Sequence, residues 1–389
     1  MEIVYFMVFG IAIFGGSFVK FKIFGIPLVY ISMSILFIQY IVYLKKQSGV
    51  LKIDKRRKKL CQFVLWGLLY VAISIIGVNE HWVSNDLFYD RNFVLRQSYY
   101  LFILPAQFLF KHSSRIDHAI NKYGFWIFIF VYLARVVYIQ DLAIGVSSIF
   151  VLSWLALQFF KEINISKKII VFSIIVFSPI GVGGEMTNVI FRLIFIFVLF
   201  RKQTVHIKNS LRKLFSIGTV ILLVSPLAWG IFGQRLDANS SWRMRYWRDE
   251  IIQVYNTNFV GVGYGTSYAS TKFVGDIDTI VGGPFGATEE YSTMDRLFVT
   301  GPHNSFISIF FRLGIIGYYL FVSFIYHNLT PKYIDCKAKV FAAYAAIVLI
   351  MVNVGLESPY YLYLFVFAMG IAMEEKAGSQ HLVIGGNKQ

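Results

Sequence analysis

IFGIPLVYISMSILFIQYIVYL, residues 23–44, runs directly into KKQSGVLKIDKRRKK, residues 45–59. The first stretch carries no charged side chain; the second holds eight Lys/Arg and one Asp. A helix needs about 20 apolar residues to cross a bilayer, because each residue rises about 1.5 Å through a core about 30 Å thick. An apolar span followed by a dense basic turn is the alternation of a polytopic membrane protein whose basic loops stay in the cytoplasm.

The pattern repeats along the chain. Apolar runs cover 3–19, 23–44, 60–78, 93–110, 123–140, 142–160, 169–183, 187–200, 214–232, 304–326, 340–356 and 358–373. They predict an all-α polytopic membrane protein of about 12 transmembrane helices (10–12), the seventh and eighth being short. Composition agrees: 57% of the 389 residues are hydrophobic and only 15% charged, against about 25% charged in soluble domains. The N-terminal run has no basic region before it and no small-residue cleavage site, so it reads as a retained first helix.

The net charge of +16 is a topology signal rather than a nucleic-acid footprint. With both termini in the cytoplasm, the inner loops and tails carry 24 Lys/Arg against 7 Asp/Glu. The rest of the chain is nearly balanced, with 13 against 14. This orientation leaves two outer segments of useful length, 79–92 and a 71-residue loop at 233–303. The chain divides accordingly. Residues 1–232 form an N-terminal bundle of about nine helices, 233–303 the large extracytoplasmic loop, and 304–389 the last helices and a cytoplasmic tail. Cys61 and Cys336 fall at cytoplasmic helix ends, which indicates neither a disulfide framework nor a metal site.

Polar residues inside such spans are expensive, so each invites a reason. Arg192 lies about one turn below the outer surface in GGEMTNVIFRLIFIFVLF and reads either as an anion contact or as the partner of a buried acid such as Glu185. Arg135 stands near a helix end and can snorkel; Arg312, nearer mid-helix, reads as a cavity or inter-helix residue. The large loop opens with SSWRMRYWRDE, residues 240–250, where Arg243, Arg245 and Arg248 alternate with Trp242, Tyr246 and Trp247. As a helix it puts Arg243 and Trp247 on one face and Arg245 and Arg248 on another. Guanidinium groups bind phosphate and aromatic rings carry sugar faces, though the same pattern suits an interfacial anchor. GVGYG, residues 261–265, has no strand before it and no Lys-Ser/Thr after it, so it reads as a tight turn, not a nucleotide loop. GPHNSFISIFFRLGIIG, residues 301–317, brings His303 and Asn304 to the membrane edge, ahead of Gly314 and Gly317 at a spacing for close helix packing. His303 can serve as an acid–base group or simply as a helix cap. Glu289, Glu290 and Asp295 are alternative bases or solvated carboxylates.

The order of these pieces resembles the Wzy/WaaL superfamily of O-antigen polymerases and O-antigen ligases. The matching residues are Arg192, Arg243 with Trp247, Gly261–Gly265, His303–Asn304, Gly314 and Gly317; His-Asn-x9-Gly-x2-Gly is the most specific part. Phe191 and Trp242 stand where the family often has Ser and Gly. The resemblance implies a GT-C-like architecture in the bacterial inner membrane with the large loop in the periplasm. It implies a metal-independent glycosyltransferase without a cofactor, whose donor is an undecaprenyl-pyrophosphate-linked oligosaccharide. His303, Arg243 and Arg192 would be catalytic, and Arg245, Arg248, Trp247, Asn304 and Glu290 would contact pyrophosphate or sugar. A polymerase of repeat units is favoured over a ligase that transfers the glycan to lipid A-core; a lipid-linked glycan flippase is a further alternative. Membrane lipid, a chain-length regulator and a flippase would be its partners, and nucleic acid would not.

Overall fold

A computed structural model describes residues 2–47, 55–109, 114–181, 185–201, 213, 216–217, 220, 238–273, 293–328, 336–352 and 355–373. The chain is mostly helical among them, and the only sheet there is a two-residue hairpin pairing Lys22–Ile23 with Ile26–Pro27. The helices are α1 (Glu2–Phe14), α2 (Ser17–Lys20), α3 (Leu28–Gln47), α4 (Lys55–Ile76), α5 (Val94–Ser98), α6 (Tyr100–Ile103), α7 (Ser114–Ile139), α8 (Val146–Phe159), α9 (Ile165–Phe177) and α10 (Glu185–Phe200). After them come α11 (Ala238–Asn256), α12 (Thr293–Val299), α13 (Ser305–Asn328), α14 (Lys337–Val352) and α15 (Pro359–Met373).

Among the described residues, three helical stretches are long and apolar enough to cross a membrane: Arg57–Ile76, Lys122–Ile139 and Ser305–Asn328. Five shorter apolar helices accompany them, Glu2–Phe14, Leu28–Val42, Val146–Phe159, Met186–Phe200 and Pro359–Met373. Their outward faces are those of a protein solvated by lipid. On α7, Trp126, Phe130, Leu133 and Val137 form an exposed stripe at helical spacing, while Phe128 and Val131 point inward and are buried. A stripe of that size facing water would be a strong association liability. At the centre, α8, α14 and α15 are buried on nearly every side, and α10 and α1 pack around them.

Local chemistry sets the helix ends. Asn164 caps α9 by accepting the Lys167 N–H at 3.1 Å. The same helix stops before Pro179, because the residue preceding proline disfavours helical geometry. The run 93–110, expected as one span, is broken into α5, α6 and a 3-10 turn at Leu104–Leu109. Pro105, which lacks an N–H, sits in that turn, and the Phe102 N–H bonds Tyr99 three residues back. The run 304–326 does form a helix, but Gly314 interrupts it at φ 65° and ψ −165°. Gly314 does not serve helix–helix contact, as its spacing suggested. A Cβ there would lie 2.2 Å from the Val260 carbonyl oxygen, so the glycine admits the backbone of the large loop. Gly317 does meet a helix: a Cβ would lie 3.2 Å from the Trp66 ring of α4. Most of the run 214–232 lies outside the described residues.

Candidate functional site

The loop segment that opens with SSWRMRYWRDE folds as α11, and α11 packs against α13. Its buried face carries Tyr246 and Glu250, with Arg243 and Trp247 partly covered, while Arg245 and Arg248 are exposed. Tyr246 donates its hydroxyl to the Thr300 carbonyl, and Trp247 donates its indole N–H to the Pro302 carbonyl. These contacts bring α11 onto the residues just before His303. Asn304, fully buried, accepts the N–H groups of Phe306 at 3.0 Å and Ile307 at 3.3 Å and so caps α13. The sequence offered Asn304 as a substrate contact; its carbonyl oxygen is committed to the helix end, leaving Nδ2 buried and without a hydrogen bond.

His303 adopts φ 57°, uncommon for a residue with a side chain. Burial lowers the proton affinity of its imidazole, and the neighbouring Arg243 guanidinium lowers it further, from the ordinary 6.5 to about 4. The ring is therefore neutral at physiological pH, beside the charge of Arg243.

GVGYG sits under this region. Gly261, Gly263 and Gly265 all have positive φ, as a tight turn requires. The turn is buried, as residues 261–270 are throughout. Val262 and Gly263 donate backbone N–H groups to Phe311 at 2.9 Å and Arg312 at 3.0 Å, and Ile315 donates to Phe259 at 3.0 Å. The turn thus satisfies the backbone groups that the break at Gly314 would leave open. Arg312 locks it from inside, donating from Nη1 to Gly263 at 3.0 Å and Thr266 at 2.7 Å while its guanidinium lies 3.9 Å over the Tyr268 ring. Residues from the first outer segment and its flanks hold the other side. Asn79 donates to Val262 and Tyr264, Gln97 bonds Gly265, Thr266 and Phe298, and Trp82 donates to Gly261.

Two buried carboxyls were not among the sequence candidates. Glu250 is fully buried, and neither of its oxygens has a hydrogen bond. Burial raises its pKa well above the usual range, outweighing the opposing pull of Arg312 and favouring its uncharged form. Glu357, between α14 and α15, accepts from Ser305 Oγ at 3.0 Å and from its neighbour's N–H at 3.2 Å; burial raises its pKa too. The one sequence signal for Glu250 was its place on the Arg243–Trp247 face of α11, one turn beyond Tyr246. Glu357 stands alone between two apolar runs and gave none.

Arg192 is elsewhere. Its Nε donates to Asn188 at 2.8 Å, and Nη1 donates to the carbonyls of Val176 at 2.8 Å and Ser178 at 2.7 Å. It closes the C-terminal end of α9 from α10, where orphan carbonyls need donors. Arg135 similarly donates to Ile13 at 3.3 Å, near the end of α1. The structure therefore gathers His303, Arg243, Trp247 and Asn304, leaves Arg245 and Arg248 on the outer face of α11, and puts Arg192 to work on a helix end. Glu289, Glu290 and the side chains of Glu185 and Trp242 lie outside the described residues. Among the described residues, no group of three or more His, Cys, Asp or Glu could hold a metal ion. Comparison of the chain with protein-family models, with curated proteins and with solved structures gives no match.

Proposed function

We propose that this protein is a membrane glycosyltransferase that joins undecaprenyl-pyrophosphate-linked oligosaccharide repeat units, as an O-antigen polymerase does, on the periplasmic face of the bacterial inner membrane. The observation that carries the reading is the neutral imidazole of His303 beside the Arg243 guanidinium at the mouth of α13. In the transfer, the acceptor hydroxyl oxygen attacks the anomeric carbon and the bond from that carbon to the phosphate oxygen breaks. The electron pair leaves with the lipid pyrophosphate, and the hydroxyl proton passes to His303. Arg243 stabilises the charge growing on the leaving oxygen, with Arg245 and Arg248 as outer phosphate contacts. A histidine with so low a proton affinity is a weak base by itself. A pyrophosphate bound alongside opposes the effect of Arg243 and raises that affinity when the proton must move.

The test is the glycan ladder of a deletion strain complemented with wild type or with His303→Ala. A polymerase predicts single-repeat lipopolysaccharide in the deletion, a restored ladder with wild type, and no ladder with His303→Ala at equal protein level. Bare core in the deletion would instead identify a ligase. Full ladders from His303→Ala would remove His303 from the chemistry.

A further inference from the structure

The five residues leading into α13 are gripped at alternate positions. Tyr246 holds the carbonyl of Thr300, Trp247 holds the carbonyl of Pro302, and Asn304 is fixed by its own cap. His303 lies between the last two grips with its backbone in the left-handed region. Such a conformation persists only where the surroundings over-determine it. The Trp247 contact is a directed one, from a ring nitrogen to the peptide immediately before the imidazole.

We propose that Trp247, with Tyr246 beside it, is a positioning residue for His303: its indole N–H fixes the Pro302–His303 peptide and thereby sets where the imidazole stands. This rests on the reading of His303 as the group that meets the attacking hydroxyl. Trp247 contributes to transfer through that imidazole and not through contact with sugar. Phenylalanine separates the two roles, because it keeps an aromatic face and has no N–H.

Two measurements on the purified full-length protein in lipid nanodiscs test this with Trp247→Phe and Tyr246→Phe. The first is elongation of a lipid-linked repeat unit at several pH values. Loss of one such bond should lower kcat about tenfold and leave KM within about twofold. The acid limb of the profile should rise toward 6.5 as the loosened imidazole regains water. The second is carbethoxylation of His303 by diethyl pyrocarbonate at pH 7.5, where the ring is unprotonated with either proton affinity, read by peptide mass spectrometry, with exposed His81 as internal control. The wild-type imidazole should react slowly, and both variants several-fold faster at His303 alone. A Trp247→Phe protein with wild-type kcat and wild-type carbethoxylation, or one in which only KM rises, overturns the proposal. If wild type elongates nothing, the glycosyltransferase reading falls; the carbethoxylation rates still decide whether Trp247 holds the His303 turn.

Discussion

His303 combines a strained backbone with a suppressed proton affinity, and both have measurable consequences. A base with a pKa of about 4 stays neutral from pH 8 down to pH 5. The kcat/KM for elongation, which reports the free enzyme, should therefore be flat across that range and fall only below it, whereas an unperturbed histidine would give a limb near 6.5. Stability follows the same sign. The unfolded chain takes up a proton at 6.5 before the folded protein does, so the contribution of this group is complete above pH 6.5 and declines as pH falls toward 4. Gly314 is the other residue on which geometry bears directly. Its φ and ψ lie in a region that only glycine enters readily, and a methyl group would overlap the carbonyls of Phe259 and Val260 at 2.3 and 2.2 Å. Gly314→Ala should destabilise the protein by on the order of 4 kcal/mol and show as loss of accumulated protein. A protein that accumulates normally with alanine there would contradict the close approach of loop and helix.

At the scale of elements, α11 was legible and α9–α10 was misleading. Read as a helix, the stretch put Arg243 with Trp247 on one face and Arg245 with Arg248 on another, and α11 has both faces. Arg192 looked like an anion contact because a sequence displays side chains and hides carbonyls. What it meets are the backbone oxygens at the end of α9. Arg192→Ala should cost roughly 2–4 kcal/mol by stranding those oxygens. Arg192→Lys, with one ammonium in place of the fork, should recover only part of that. If Arg192→Ala protein accumulates to wild-type levels and loses only its activity, the helix-end role is wrong and the anion role returns. GVGYG was read correctly as a turn. Three glycines show that a chain can bend sharply, but nothing local shows what it bends against.

For the whole molecule, apolar runs and basic loops forecast a helical membrane protein, and helices long and apolar enough to cross a membrane are present. The break in the run 93–110 was less legible, because Gln97 turns toward partners far away in sequence. Segment 79–92 docks on residues of the loop 233–303. Asp90 donates its N–H to Gly265 at 2.7 Å, Ser267 to Phe88 at 2.8 Å, and Thr271 to Asp86 at 2.9 Å. Impermeant thiol labelling checks the orientation. With Cys61 and Cys336 replaced by alanine, Lys272→Cys should be modified from outside intact spheroplasts, and Lys58→Cys only after lysis. The reverse pattern would put the candidate site in the cytoplasm, away from any periplasmic substrate.

The interruption at Gly314 also bears on biosynthesis. Trp66 reaches across 247 residues of chain to the Leu313 carbonyl, and Tyr70 reaches Val260 in the same fashion. The early helices are therefore made long before the ribosome delivers what completes them. No truncated product ending short of α13 can seat the turn, so the protein's competence waits on the synthesis of that helix.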